Sequence, residues 1–205
     1  MNETSSSWAR CAGNTMATRP LQDRLMSKLR RNQTPRPQPV LGVDIGGVIV
    51  DRISENSDTS FFGDQPMETP AVDGAFAALT RLAAVFEHRV HIVSKAGPKI
   101  AALSREWLGR HGVFEPPIGI PESNVWFVSK RPDKAPICAR LGVTHFVDDR
   151  PDVLQHLTTV HHQFLFLGGL GHHQPPVTSP RSVHRVSTWP ELVVKIERTV
   201  KWMQT

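Results

Sequence analysis

Residues 40–51, VLGVDIGGVIVD, constrain the fold more than any other stretch. Val40, Leu41 and Val43 run into Asp44, and Gly46 and Gly47 follow before a second apolar run. A short apolar run bounded by turn residues is the pattern of a buried strand, most often one in a parallel sheet. Asp44 then stands where that strand ends. In open α/β sheets, ligands bind in the crevice outside the carboxyl ends of the strands. Glycines let the backbone turn sharply and come close to a ligand. The same residues also fit a strand that merely closes in an Asx turn. What decides between the two is the company Asp44 keeps.

Beyond this strand the pattern alternates. Residues 52–67 are polar, with Gly63, Pro66, Phe61 and Phe62, and read as a loop or small flap over the strand ends. Thr69 and Pro70 offer an N-cap and a first-turn proline to a helix over 71–86, where Phe76, Leu79, Leu82, Ala83 and Phe86 recur at helical spacing. A strand over 89–93 ends at Ser94, and a helix over 98–111 stops at Gly112. A third strand covers 124–128. Asp133 is expected to cap a helix running to Arg140, closed by Gly142, and a fourth strand over 144–147 ends in Asp148 and Asp149. A short helix after Pro151, a strand over 163–167 and a last helix from Thr188 to Val200 complete the series, the last opened by a capping box of Thr188 and Glu191. Strand and helix in alternation predict an α/β fold with a doubly wound parallel sheet. There is no internal repeat.

The net charge of +5 would invite nucleic acid if it lay on the folded part. It does not. Residues 1–39 carry seven Lys/Arg and two acids, which leaves 17 of each sign in residues 40–205. The chain therefore divides into a basic, Pro-rich extension over 1–39, expected to be disordered, and an α/β domain over 40–205. No run is long enough to span a bilayer. Two cysteines, Cys11 and Cys138, make no disulfide framework and fit a reducing, cytoplasmic setting. The Arg- and Ser-rich start also fits an organellar presequence, and Met16 or Met26 also fits as the true start.

The polar residues at the strand ends converge on one rim. Asp44, Ser94, Asp148 and Asp149 end strands, and Lys134 opens the helix before the fourth. Carboxylates gathered at one point repel each other unless a cation is present, and oxygen-only ligands suit Mg²⁺. A hydroxyl and an ammonium beside them can hold phosphoryl oxygens. An aspartate can also act as a nucleophile and form an acyl-phosphate.

This order of residues resembles the haloacid dehalogenase superfamily over about residues 40–167. VLGVDIGGVIVD is similar to its first motif, VHIVSKAG to its second, and DKAPICARLGVTHFVDDRPDVL to its third and fourth together. The resemblance implies a nucleophilic Asp44, a phosphoryl group held by Ser94 with Lys95 and Gly47 beside it, and a stabilising Lys134. It also implies Mg²⁺ on Asp44, the Gly46 carbonyl, Asp148 and Asp149. Phosphatases of that family usually carry a second aspartate two residues after the nucleophile, to protonate the leaving group. Here the position is Gly46. General acid–base help of this kind is worth ~10²–10⁴-fold in rate.

Two functions of different class follow: a slow Mg²⁺-dependent phosphohydrolase, or a non-catalytic relative that binds a phosphorylated ligand or partner. The gaps between motifs leave no room for an independent cap domain, which in that family goes with large or exposed substrates, or with cover borrowed from a partner subunit in an oligomer. The DDRPD stretch resembles nucleotidase-like members and makes a nucleotide the second expectation for the ligand. His161, His162, His172 and His173 read as surface histidines, and residues 168–171, GGLG, as a loop. Lys130 and Arg131 lie near the rim, where a solvated loop and a substrate contact both fit them. Trp107, Trp126, Trp189 and Cys138 read as core.

Overall fold

The computed structural model describes residues 38–51, 65–168 and 183–204. Among them are six strands, β1 (Leu41–Val43), β2 (Val90–Lys95), β3 (Val125–Val128), β4 (His145–Asp148), β5 (His162–Phe166) and β6 (Val183–Val186). Five α-helices accompany them: α1 (Ala75–Val85), α2 (Pro98–Arg110), α3 (Lys134–Leu141), α4 (Pro151–Leu154) and α5 (Trp189–Gln204). The strands form one sheet in the order β3-β2-β1-β4-β5-β6, and every neighbouring pair is parallel. This is the doubly wound α/β sheet that the alternating pattern implies.

Parallel strands need crossover connections, and these cover both faces of the sheet. One face packs Leu41, Val43, Ile92, Val147 and Phe164 against residues of α1, α2 and α5, including Leu79, Trp107 and Leu192. The opposite face packs Val93, Phe146 and Leu165 against Cys138 of α3 and Val153 and Leu154 of α4. Gly42, in the middle of β1, is where the second face is tightest. A Cβ there would run into the Phe146 ring, so only glycine lets Phe146 lie across β1. Strand order reverses between β1 and β4. Connections leave that boundary in opposite directions and open a crevice at the carboxyl ends.

Several boundaries differ from the sequence pattern. The helix expected over 71–86 begins only at Ala75, behind Gly74 at φ +77°. Residues 69–72 are instead drawn into extended contacts, with Asp51 N–H on the Pro70 carbonyl and Val72 N–H on the Ile49 carbonyl, so Thr69 caps nothing. Asp133 makes no side-chain cap for α3. Its carboxylate closes the preceding 3₁₀ turn by accepting the Lys130 N–H at 3.2 Å. Thr188 does cap α5, its hydroxyl accepting the Glu191 N–H, while Glu191 reaches back to the Ser187 N–H. Trp126 is half-buried rather than core, whereas Trp107, Trp189 and Cys138 are fully buried. His162 is not simply a surface residue, because its ring stacks on the buried His145 at 4.5 Å. The extension before residue 38, most of the expected flap, and His172 and His173 lie outside the described residues. No helix among the described residues is long and apolar enough to cross a membrane.

Candidate functional site

Asp44 follows β1 directly and Asp148 ends β4. Val43 pairs with Val147, and the Asp44 N–H continues that ladder onto the Val147 carbonyl at 3.0 Å. The two aspartates therefore stand at one level on adjacent strands. Side chains alternate along a strand. Asp44 falls in step with Gly42 and Asp148 with Phe146, which turns both carboxylates towards the α3 side of the sheet.

Lys134, the first residue of α3, comes down on that side. Its Nζ donates a 2.7 Å hydrogen bond to Asp148 Oδ2 and lies 3.0 Å from Asp44 Oδ1 as an ion pair. All three are buried, Lys134 to 1% exposure and Asp148 to 0%. Beneath the ammonium lies the Phe146 ring, 5.7 Å away at its centroid. Gly42 thus bears on the site indirectly, by letting Phe146 take up that place. Burial alone would lower the Lys134 pKa, but the charges and hydrogen bonds of Asp148 and Asp44 outweigh it and hold the group protonated. Burial pushes the Asp148 carboxyl well above its ordinary range, opposed by Lys134 and reinforced by Asp44 and Asp149.

Asp149 completes the cluster. Oxygens of Asp44, Asp148 and Asp149 all lie within 4.8 Å of one another, and all three residues are buried. Three acidic side chains thus gather around one buried ammonium. Asp44 Oδ1 is buried, with the Lys134 ammonium 3.0 Å away as its ion-pair partner. Such an oxygen-only donor set fits a hard divalent cation.

The chain turns sharply after Asp44. The Ile45 carbonyl receives the N–H groups of Ile49 at 2.8 Å and Val50 at 2.9 Å, with Val48 at 3.3 Å. Gly47 makes the turn possible with φ +72°, and its own N–H is committed to the Val50 carbonyl at 2.8 Å. Gly46 is half-exposed on the same turn and presents no side chain. From across the sheet, the buried Trp189 indole donates a 3.0 Å hydrogen bond to the Val48 carbonyl.

The structure thus brings Asp44, Lys134, Asp148 and Asp149 into direct contact or close approach. Ser94 is buried one strand away, near the end of β2. Lys95, the next residue, is exposed on the same rim. Sequence reasoning missed three features around the site. The Gly42–Phe146 fit has no local signature. Trp189 looks like any core tryptophan until the turn it supports is known. Arg150 and Asp152 pair at 3.0 Å beside Asp148, and only the DDRPD spacing hints at it.

No protein-family model matches this chain, and no curated protein matches it. Among solved structures, it is similar to a haloacid dehalogenase-like family hydrolase from Xanthomonas campestris, with 11% sequence identity and a TM-score of 0.48. That match covers 68% of this chain and 60% of the other, so the chain spans less than two thirds of the structure it matches.

Proposed function

We propose that this rim is the active site of a Mg²⁺-dependent phosphohydrolase, acting on a phosphomonoester through an aspartyl-phosphate on Asp44. The observation that carries the reading is the buried Lys134 ammonium held between Asp44 and Asp148 at the β1/β4 crevice. A purely structural role would not need a third buried carboxylate, Asp149, beside them. Asp44, Asp148, Asp149 and the Gly46 carbonyl are the groups that would hold Mg²⁺. When bound, the cation supplies positive charge to the phosphoryl oxygens and to the crowded carboxylates.

In this reading Asp44 attacks phosphorus. A carboxylate oxygen–phosphorus bond forms, and the ester oxygen departs with its electron pair. Lys134 orients the Asp44 carboxylate and offsets charge on the phosphoryl group. Ser94 and Lys95, on the neighbouring strand, are the further groups assigned to that phosphoryl group. Water then cleaves the acyl-phosphate, which releases phosphate and restores Asp44. With Gly46 in place of an acid, the departing oxygen takes its proton from solvent, so turnover is slow for poor leaving groups.

Gly46 also favours a second reading, in which the protein binds a phosphorylated ligand without turning it over. Phosphate release from a panel of phosphomonoesters, with and without Mg²⁺, separates the two. The enzyme reading expects Mg²⁺-dependent release by the wild type that Asp44→Asn abolishes. Release gained only in Gly46→Asp would favour binding alone.

A further inference from the structure

The Phe146 ring lies one step below the buried charges, on the same face of the sheet. Gly42 pairs with Phe146 across β1 and β4, two residues before Asp44 and Asp148 on the same strands. Side chains two apart along a strand share a face. Phe146 therefore stands on the side where the two carboxylates meet Lys134. Its ring leans over β1 at Gly42, where a Cβ would run into it. Lys134 Nζ sits over that ring, 5.7 Å from its centroid. The ammonium thus has Asp148 at 2.7 Å, Asp44 at 3.0 Å and an aromatic face on a third side.

The carboxylates and the ring act differently on Lys134. The carboxylates keep it charged, since their charges and hydrogen bonds outweigh its burial. They do not fix its place. A lysine ammonium is a compact charge on a flexible four-carbon stem, and attraction between charges falls off only gradually with distance. The ring supplies a definite surface. Its face carries partial negative charge and draws a cation onto it, most strongly where water is excluded. Its bulk also stops the ammonium from sinking below the level of the carboxylates. A mid-strand glycine weakens a strand relative to alanine, and here it makes room for the ring that meets the ammonium.

We infer, resting on the phosphohydrolase reading, that Phe146 is a positioning residue: its ring face seats the Lys134 ammonium beside Asp44, where Lys134 meets the phosphoryl group. Phe146 is fully buried and touches no substrate itself. It acts through Lys134, and Gly42 provides the space that the seat needs.

Phe146→Leu removes the ring face but also changes the packing, so the test keeps the shape and alters the charge of the face. Phenylalanine with one, two or three ring fluorines is placed at position 146 of the full-length chain by nonsense suppression. Each fluorine withdraws negative charge from the face and leaves the ring in place. The same series at Phe164, buried on the opposite face of the sheet, is the control. One readout is kcat/KM for an aryl phosphate with Mg²⁺. The other needs no turnover: the rate at which the Lys134 ammonium protons exchange with water, followed by NMR on protein with isotope-labelled lysine. At position 146, kcat/KM is expected to fall with each fluorine, by about tenfold over the series, the scale of a desolvated cation–π contact. Ammonium exchange quickens in the same order. At Phe164 neither quantity follows the fluorines.

A flat series at position 146, in an enzyme that turns over, overturns the seat and leaves the hydrolase standing. Losses of the same size from the series at Phe164 also overturn it, because the fluorines would then act through the core at large. Exchange that quickens in order at position 146, in a protein without turnover, keeps the seat and removes the hydrolase. Steady exchange without turnover removes both.

Discussion

The Trp189 indole N–H meets the Val48 carbonyl at 3.0 Å, across 141 residues of chain. Through this bond α5 holds the turn that begins one residue after Asp44. The ring is fully buried and packs on Phe166, with centroids 5.5 Å apart. Trp189→Phe keeps an aromatic ring and removes the donor, leaving a buried carbonyl unpaired. That is expected to cost about 1–2 kcal/mol of stability. Because the turn also presents Gly46, kcat/KM should fall several-fold. Urea unfolding and phosphate release, measured on one preparation, check both.

Lys134 is the counter-charge for the whole cluster. Lys134→Met leaves the Asp44 and Asp148 carboxylates buried without an ammonium, and removing one partner of a buried pair costs about 3–5 kcal/mol. Mg²⁺ should restore part of the loss, since a divalent cation replaces the missing charge. Thermal melts of wild type and variant, with and without Mg²⁺, are expected to show the larger Mg²⁺-induced rise in the variant.

Acid should unfold the protein from the opposite end of the sheet. His145 opens β4, with ring nitrogens 2.7 Å from Thr144 Oγ1 and 3.0 Å from Thr199 Oγ1. Burial lowers its pKa to about 3, with His162, His161 and His184 adding to the effect. A depressed histidine pKa means that the folded state resists protonation. Its contribution is fully present above the unfolded pKa of about 6.5 and is lost as pH falls from there towards 3. By pH 5 the loss is about 2 kcal/mol. The difference in unfolding free energy between wild type and His145→Asn, followed from pH 8 to pH 5, should shrink by about that amount.

Leaving groups report on the missing acid. With glycine at position 46, aryl phosphates should be cleaved much faster than alkyl phosphates, because an aryloxide needs no proton to depart. Gly46→Asp should flatten that dependence and raise the rate on alkyl phosphates by ~10²-fold or more. Rates plotted against leaving-group acidity for both proteins give the answer.

Strand, helix and rim were legible in the sequence for identifiable reasons. Apolar runs ending in Asp44, Ser94 and Asp148 carry the parallel sheet, because such strands are apolar on both faces. The pattern misplaced α1, since Thr69 and Pro70 have the chemistry of a helix start while the backbone there is held by Ile49 and Asp51, which are distant in sequence. It missed β6, which has the four residues VHRV and only one fully buried side chain, Val186. Asp133 was misassigned because a 3₁₀ turn intervenes before the helix. At the site, residues on strand ends could be listed, but pairing register was needed to put Asp44 level with Asp148. Contacts that depend on shape, such as Phe146 over Gly42, have no one-dimensional signature.

The central claim is that Asp44 becomes phosphorylated. Rapid acid quench of the wild type with a radiolabelled aryl phosphate and Mg²⁺, followed by peptide mapping, tests it most directly. Label is expected on the peptide that contains Asp44, lost on treatment with hydroxylamine and absent from Asp44→Asn. Mg²⁺-dependent turnover with no label on that peptide, or with label on another residue, would contradict it.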